Sequence, residues 1–303
     1  MKIMYSDSYS EVTQEIFEKE HIGKLHSKFE TSINLKFGNR LVNISSNQTV
    51  MPPFGIQVSS KSIKEIISLI EEDEVITFNK KENLLLFEKE NLQLKLLEKK
   101  YTPKITPLKI EKKNAKKNIM KIIDYVLENN LENGFRVQNK EFINIIFGNE
   151  KSNSELSKRF QSLKEQIKSN NMDIQGYRYF LGRGEGLTPS GDDFLIGIMA
   201  VMAFNNDKSL EVLGDKLLVD IEKMTTDISC EYLYYARFNN FSLNIIKFCK
   251  KLFTYKYDEI KNQNELYSSY LRLIENGHTS GIDTLLGILL YSSAAFDENI
   301  NEL

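Results

Sequence analysis

Two glycine-rich segments hold the residues best suited to chemistry. The first, GRGEGLTPSGDD, runs from Gly182 to Asp193 and leads directly into the apolar run Phe194–Phe204. Gly182, Gly184 and Gly186, at alternate positions, open backbone dihedrals closed to other residues, so bare amides there can approach a ligand closely. Ser190 is placed to cap the helix that follows, with Asp193 at its third position in a capping-box-like pair. A glycine loop feeding a helix N-terminus suits a small carboxylate or phosphate, because free N–H groups and the positive end of the dipole face the ligand. Gly182, Gly184, Gly186, Thr188, Ser190 and Gly191 are therefore the candidate anion-binding residues of this segment. No Gly-Lys-Ser/Thr of an ATP loop is present, and Leu187 stands where a dinucleotide fingerprint needs its third glycine, so neither ATP nor NAD is supported. A plain turn before a capped helix accounts for Ser190 and Asp193, but not for the three glycines or for Asp192, which capping leaves free for ligand or proton chemistry.

The second segment, GHTSGID from Gly277 to Asp283, repeats part of the first. Ser190, Gly191, Asp193, Leu195, Gly197 and Ile198 recur as Ser280, Gly281, Asp283, Leu285, Gly287 and Ile288, each 90 residues later, in the shared string S-G-x-D-x-L-x-G-I. A glycine inside a helix costs roughly 1 kcal/mol relative to alanine, so Gly197 and Gly287 point to two helices whose backbones touch. Two equivalent helices, each with a capped N-terminus near one pocket, are expected; a small-residue helix contact without a ligand is the bland alternative. Thr279, Ser280, Gly281 and Asp283 join the candidate binding residues. His278, just before the second cap, is a candidate proton carrier near neutral pH, with Asp192 and Asp193 as the other candidate catalytic groups. The same aspartates with Asp283 leave Mg²⁺ open as an oxygen-bound ion, although capping explains two of them. Thr226, at another helix start, and Arg237, whose planar fork suits carboxylate or phosphate, are further binding candidates.

The elements that must position these residues fall into two groups. Ile33–Phe37 and Leu41–Ile44 alternate apolar and polar around Gly38-Asn39, a tight-hairpin pair, and further strands are expected at Gly55–Val58, Val75–Phe78, Leu84–Phe87 and Leu92–Leu97. Ile63–Ile70 has helical spacing and should lie on that sheet. The prolines of YTPKITPLK, residues 101–109, interrupt both patterns. Beyond them apolar residues recur at helical spacing, in runs such as Lys113–Asn129, Asp192–Phe204, Leu210–Met224 and Thr279–Ala295. The expected fold is α+β, an antiparallel β-rich domain over residues 1–105 followed by a predominantly α-helical domain over 106–303 that carries both glycine loops.

Composition narrows the function classes. The chain has 303 residues, 41% of them hydrophobic and 27% charged, which suits a folded globular protein rather than a disordered one. A net charge of only −2 provides no field for nucleic acid or an anionic membrane, and the eight lysines between Lys99 and Lys117, without interleaved aromatics, read as a solvated linker. Neither a signal-peptide core nor a run near the roughly 18 apolar residues of a membrane span occurs, so a cytoplasmic location is expected. Cys230 and Cys249 are too few for a disulfide framework.

At G-x-G-x-G-L-T-P-S-G-D-D (182–193), the Thr225-Thr226 pair and G-H-T-S-G-x-D (277–283), the sequence resembles the bacterial family that includes the AllH subunit of oxamate carbamoyltransferase. A weaker likeness extends through the strand segments and Pro53-Phe54-Gly55. The resemblance implies carbamoyl transfer between oxalurate and phosphate, giving oxamate and carbamoyl phosphate in anaerobic purine or allantoin breakdown, together with partner protein subunits. Glu185 and Asn239-Asn240 depart from the family's proline and glycine, and a carboxylate in the loop opposes an anion if it points inward. The residues themselves agree on an anion site. They show no serine, cysteine or lysine paired with a base, so direct displacement by bound phosphate fits better than a covalent intermediate. The alternative is a non-catalytic anion-binding or assembly subunit whose chemistry resides in a partner.

Overall fold

The computed structural model describes residues 2–97, 99–129, 131–147, 154–256, 259–275 and 277–296. They divide into two compact units, one formed by the chain up to Lys104 together with Asn240–Leu243, the other by Ile105–Asn239 and the chain from Asn244 onward.

The first unit contains β1 (Lys2–Ser10), α1 (Glu11–Lys19), β2 (Ile22–Lys28), β3 (Ser32–Phe37), β4 (Arg40–Ser46), β5 (Gly55–Val58), α2 (Ser60–Leu69), β6 (Val75–Asn79), β7 (Leu84–Phe87), β8 (Leu92–Lys95) and β9 (Lys100–Tyr101). The strands pair in the order β5-β4-β3-β2-β6-β7-β8-β1-β9, and β1 also pairs with β5, so eight strands close on themselves as a barrel-like sheet. Closure removes the free strand edges that an open sheet would expose. The hairpin expected at Gly38-Asn39 joins β3 and β4 with Phe37 opposite Arg40, and Gly38 takes φ 55°. The sheet is not purely antiparallel as expected: β1 runs parallel to β8 and β9, and β4 runs parallel to β5. Such pairings join distant segments and leave no local turn signal. The strand β1 escapes the period-2 pattern because Ser6 points inward, where its hydroxyl accepts the Leu97 amide at 3.0 Å. The lysine-rich stretch expected as a linker holds a strand instead, since β9 lies within it.

The second unit contains α3 (Lys112–Asn129), α4 (Asn139–Phe147), α5 (Glu155–Lys168), α6 (Ile174–Arg178), α7 (Ser190–Phe204), α8 (Ser209–Leu217), α9 (Asp227–Arg237), α10 (Leu243–Thr254), α11 (Ile260–Ile274) and α12 (Ser280–Ala295). The single helix expected over Leu210–Met224 stops early, at a left-handed Asp220 (φ 52°) followed by a 3-10 turn, Ile221–Lys223. Helix α7 is buried along its whole length and α12 from Gly281 to Ala294, which is why both read as apolar all round. Among the described residues no helix is long and apolar enough to cross a membrane.

Helices α7 and α12 form the central pair. A side chain on Gly197 would meet the Thr284 carbonyl at 2.1 Å, and one on Gly287 would meet the Phe194 carbonyl at 2.0 Å. The backbones therefore touch at the two glycines, in a reciprocal pattern that preserves the 90-residue offset. At the start of α7, Phe160 stacks on Phe180 (5.3 Å between centroids) and Phe180 packs on Phe194 (4.8 Å), clamping both ends of the first glycine segment to the core.

Candidate functional site

The first glycine segment stands out from this core as a loop. Arg183 through Leu187 are exposed, while Gly182 and Thr188 are half-buried. Gly182, Gly184 and Gly186 adopt φ of 69°, 116° and 93°, conformations that other residues rarely take. As a result, the amides of five consecutive residues, Gly184 to Thr188, donate to no acceptor among the described residues. The loop's Arg183 lies over the Tyr179 ring at 4.1 Å, and Arg136 reaches Glu185 at 3.2 Å. Glu185 is thereby turned outward to an arginine rather than inward on the free amides.

Beneath the loop lie three buried carboxylates. Asp192 is fully buried; its Oδ1 accepts the Gly182 amide at 2.8 Å and its Oδ2 accepts the Thr225 hydroxyl. Burial raises its pKa, against the Gly182 amide and the Thr225 and Ser229 hydroxyls. Asp193 is pushed well above the usual carboxylate range by burial and, more weakly, by the charge of Asp283, while the Ser280 and Thr188 hydroxyls oppose the shift. One of its oxygens, Oδ2, is buried without a hydrogen-bond partner. Asp283 accepts the Gly134 amide at 3.0 and 3.3 Å; burial lifts it to about 6, against that amide and the Ser190 and Thr279 hydroxyls. The pattern is crossed: Ser190 of α7 serves Asp283 of α12, and Ser280 of α12 serves Asp193 of α7. Thr188 and Ser280 hydroxyls meet at 2.9 Å, bringing the two glycine segments together.

Several sequence expectations change here. Ser190 does not cap α7: Pro189 occupies that position, no side chain caps the helix, and α12 likewise begins uncapped after Thr279. The serines turn toward the opposite helix because the glycine crossing brings its carboxylate within reach, something one helix's sequence does not reveal. Asp192, expected to be free, has both oxygens taken, and Asp193, expected to be a cap partner, holds the unpaired one. Asp192 has no exposed surface, whereas His278 is exposed. The positive ends of both helices are faced by internal carboxylates instead of open to a ligand. Thr226 caps α9 by accepting the Ser229 amide at 3.1 Å, and its hydroxyl donates to the Leu187 carbonyl at 2.5 Å. Arg237 closes α9 about 16 Å further along, paired with Asp215 and Glu211 and lying over Phe238, so it is not brought to the loop. Among the described residues no group of three or more His, Cys, Asp or Glu side chains is placed to hold a metal ion, so Asp192, Asp193 and Asp283 do not form a Mg²⁺ set.

Sequence reasoning missed four residues. Gly134 is confined by the Ser190 hydroxyl, which a side chain there would meet at 1.8 Å; the Asn133-Gly134 turn was its only local signal. Arg136 and Arg183 supply the charge beside the loop, and Thr225 was read only as part of a pair.

The chain finds relatives by sequence family and not by solved structure. The family described as oxamate carbamoyltransferase subunit AllH matches residues 180–292, and the AllH family N-terminal domain matches residues 3–101. No solved structure matches the chain. The first match begins two residues before Gly182 and ends inside α12, so it takes in the loop, the three carboxylates and the glycine crossing. The two matches together span more than half of its length, and the chain belongs to the AllH family.

Proposed function

We propose that this chain is a subunit of an oxamate carbamoyltransferase and that the exposed loop, rather than the helix ends, holds the anionic group of the substrate. The observation that carries the reading is the run of five unpaired amides from Gly184 to Thr188, kept open by three positive-φ glycines. A run of free amides of this kind suits a phosphate or carboxylate, and Arg183 adds a positive charge within the loop while Arg136 balances Glu185. The reaction is carbamoyl transfer between oxalurate and phosphate, giving oxamate and carbamoyl phosphate in purine or allantoin catabolism. A phosphate oxygen attacks the carbamoyl carbon directly, the C–N bond to the oxamate nitrogen breaks, and that nitrogen takes up a proton as oxamate leaves, with the amides stabilising charge that develops in transfer. His278, exposed two residues before Ser280, is the side chain available to move a proton. Asp192 and Asp193 act from below, holding the loop and the helix starts.

A second reading makes the chain a non-catalytic binding or assembly subunit. The burial of all three aspartates favours it, since His278 alone among the candidate acid-base groups is exposed. Thermal denaturation with phosphate, carbamoyl phosphate, oxamate and oxalurate tests the shared element, because a ligand that binds only the folded state raises its melting temperature. Stabilisation by at least one of them is expected, and a folded protein indifferent to all four would sink the anion site. Turnover by the isolated chain would select the first reading; turnover only with the proteins encoded beside it would select a shared or partner-borne centre.

A further inference from the structure

The loop's two ends are tied to the same short segment. At one end, a side chain on Gly182 would strike the Met224 carbonyl at 1.8 Å, so the loop begins in backbone contact with that residue. The Gly182 amide binds Asp192 Oδ1, and Asp192 Oδ2 receives the Thr225 hydroxyl. At the other end, the Thr226 hydroxyl donates to the Leu187 carbonyl. The segment is itself anchored: Met224 and Thr225 amides donate to the Ile221 carbonyl at 2.9 and 3.1 Å, Arg178 donates to the Met224 sulfur at 2.8 Å, and Thr226 caps α9.

We infer that Met224, Thr225 and Thr226 form a bracket that fixes the loop in its open form, making the two threonines positioning residues rather than substrate contacts. A threonine hydroxyl has one hydrogen to give. Thr225 commits its hydrogen to Asp192 and Thr226 commits its own to Leu187, so neither has a donor left for an anion. The burial of Asp192 strengthens the tie: without Thr225, Oδ2 of a carboxylate with no exposed surface loses its hydroxyl donor. The functional side of the inference rests on the loop being the anion holder.

Two readouts test it separately. Arg183 places a trypsin site inside the loop, so the rate of cleavage after Arg183, followed by mass spectrometry well below the melting temperature, reports loop conformation without any ligand. Calorimetric titration with inorganic phosphate reports the site. In Thr225→Val, cleavage should be about tenfold faster and phosphate binding about tenfold weaker, the size expected when a buried hydrogen bond to a charged group is lost. Thr225→Ser, which keeps the hydroxyl, should stay close to the parent in both. Thr226→Val removes the tie at Leu187 and should also speed cleavage, keeping the test alive if Thr225→Val does not fold. Parental cleavage rates in both valine variants would overturn the bracket, as would a serine variant no better than valine. A parent that binds no phosphate removes the anion reading, while the cleavage rates still decide whether the bracket holds the loop. Faster cleavage with unchanged phosphate affinity would overturn the role in binding.

Discussion

The two S-G-x-D segments are alike in the residues they share and unlike in function-bearing detail. Gly191 and Gly281 each leave room for a carbonyl, Phe180 at 1.8 Å and Leu273 at 2.0 Å from where a side chain would start. Gly197 and Gly287 do the same for each other's helix, and Ser190 and Ser280 exchange carboxylate partners. The repeated glycines and serines thus seat the two helices against each other and against the segments before them. The residues without a counterpart are those of the loop: Ile282 stands where the first segment has Asp192, and no alternating glycines precede Ser280. Repetition therefore marks the scaffold, and the departure from it marks the candidate site.

The largest expected effect comes from breaking the shared part. Gly197→Ala places a methyl 2.1 Å from the Thr284 carbonyl, and Gly287→Ala places one 2.0 Å from the Phe194 carbonyl. A helix carbonyl does not rotate aside as a side chain would, so the helices must separate. Each variant should lose about 3 kcal/mol in urea unfolding, at the upper end for overpacked cores. The double variant should lose less than the sum, because helices already parted by one methyl resist the second less. Small additive losses would show that the crossing is loose.

A smaller effect should come from the carboxylate of the second segment. Asp283 is lifted from 3.8 to about 6, chiefly by burial. A carboxylate raised on folding binds its proton more tightly in the native state, so its contribution is fully present below about pH 4 and is lost as pH rises through about 6. The loss amounts to about 3 kcal/mol. Asp283→Asn keeps an oxygen for the Gly134 amide and carries no charge, so its stability should gain on the parent steadily between pH 4 and 7. Melting profiles that stay parallel across that range would mean the charge is accommodated by other means.

How much of this was legible depended on how local the cause was. The Gly38-Asn39 hairpin, the apolar run of α7 and the Gly197–Gly287 crossing follow from residues close in sequence or repeated at a fixed offset. The parallel partners of β1 do not, since Lys2–Ser10 and Leu92–Lys95 are brought side by side only by barrel closure. The site divides in the same way. The glycines of the loop announced their positive φ through their identity, whereas Ser190 and Asp193 suggest a cap pair, capping being the local use of such residues, and Asp192 a free carboxylate. What they do instead is set by α12 and by Thr225, both remote in sequence. Arg237 looked like an anion ligand by its chemistry alone, and acidic neighbours on α8 hold it elsewhere.

The subtlest comparison sets one glycine of each segment against the other. Gly186 has φ 93° and nothing within 4 Å of where a side chain would start, so Gly186→Ala meets only backbone strain, about 1 kcal/mol, in an exposed loop free to relax. Relaxation is what should matter: turning residue 186 toward negative φ redirects the amides on either side of it. Stability should therefore change little while the phosphate response is lost. Gly277, at φ 66° with the Ser280 hydroxyl 3.3 Å from an added side chain, carries a similar strain in the other segment. Gly277→Ala should match Gly186→Ala in melting temperature and still respond to phosphate, because its segment contributes scaffold and not the amide run. Thermal shifts of both variants with and without phosphate make the measurement. If Gly277→Ala silenced the response as fully as Gly186→Ala, the anion would be held by both segments and the division between repeated scaffold and unrepeated site would fail.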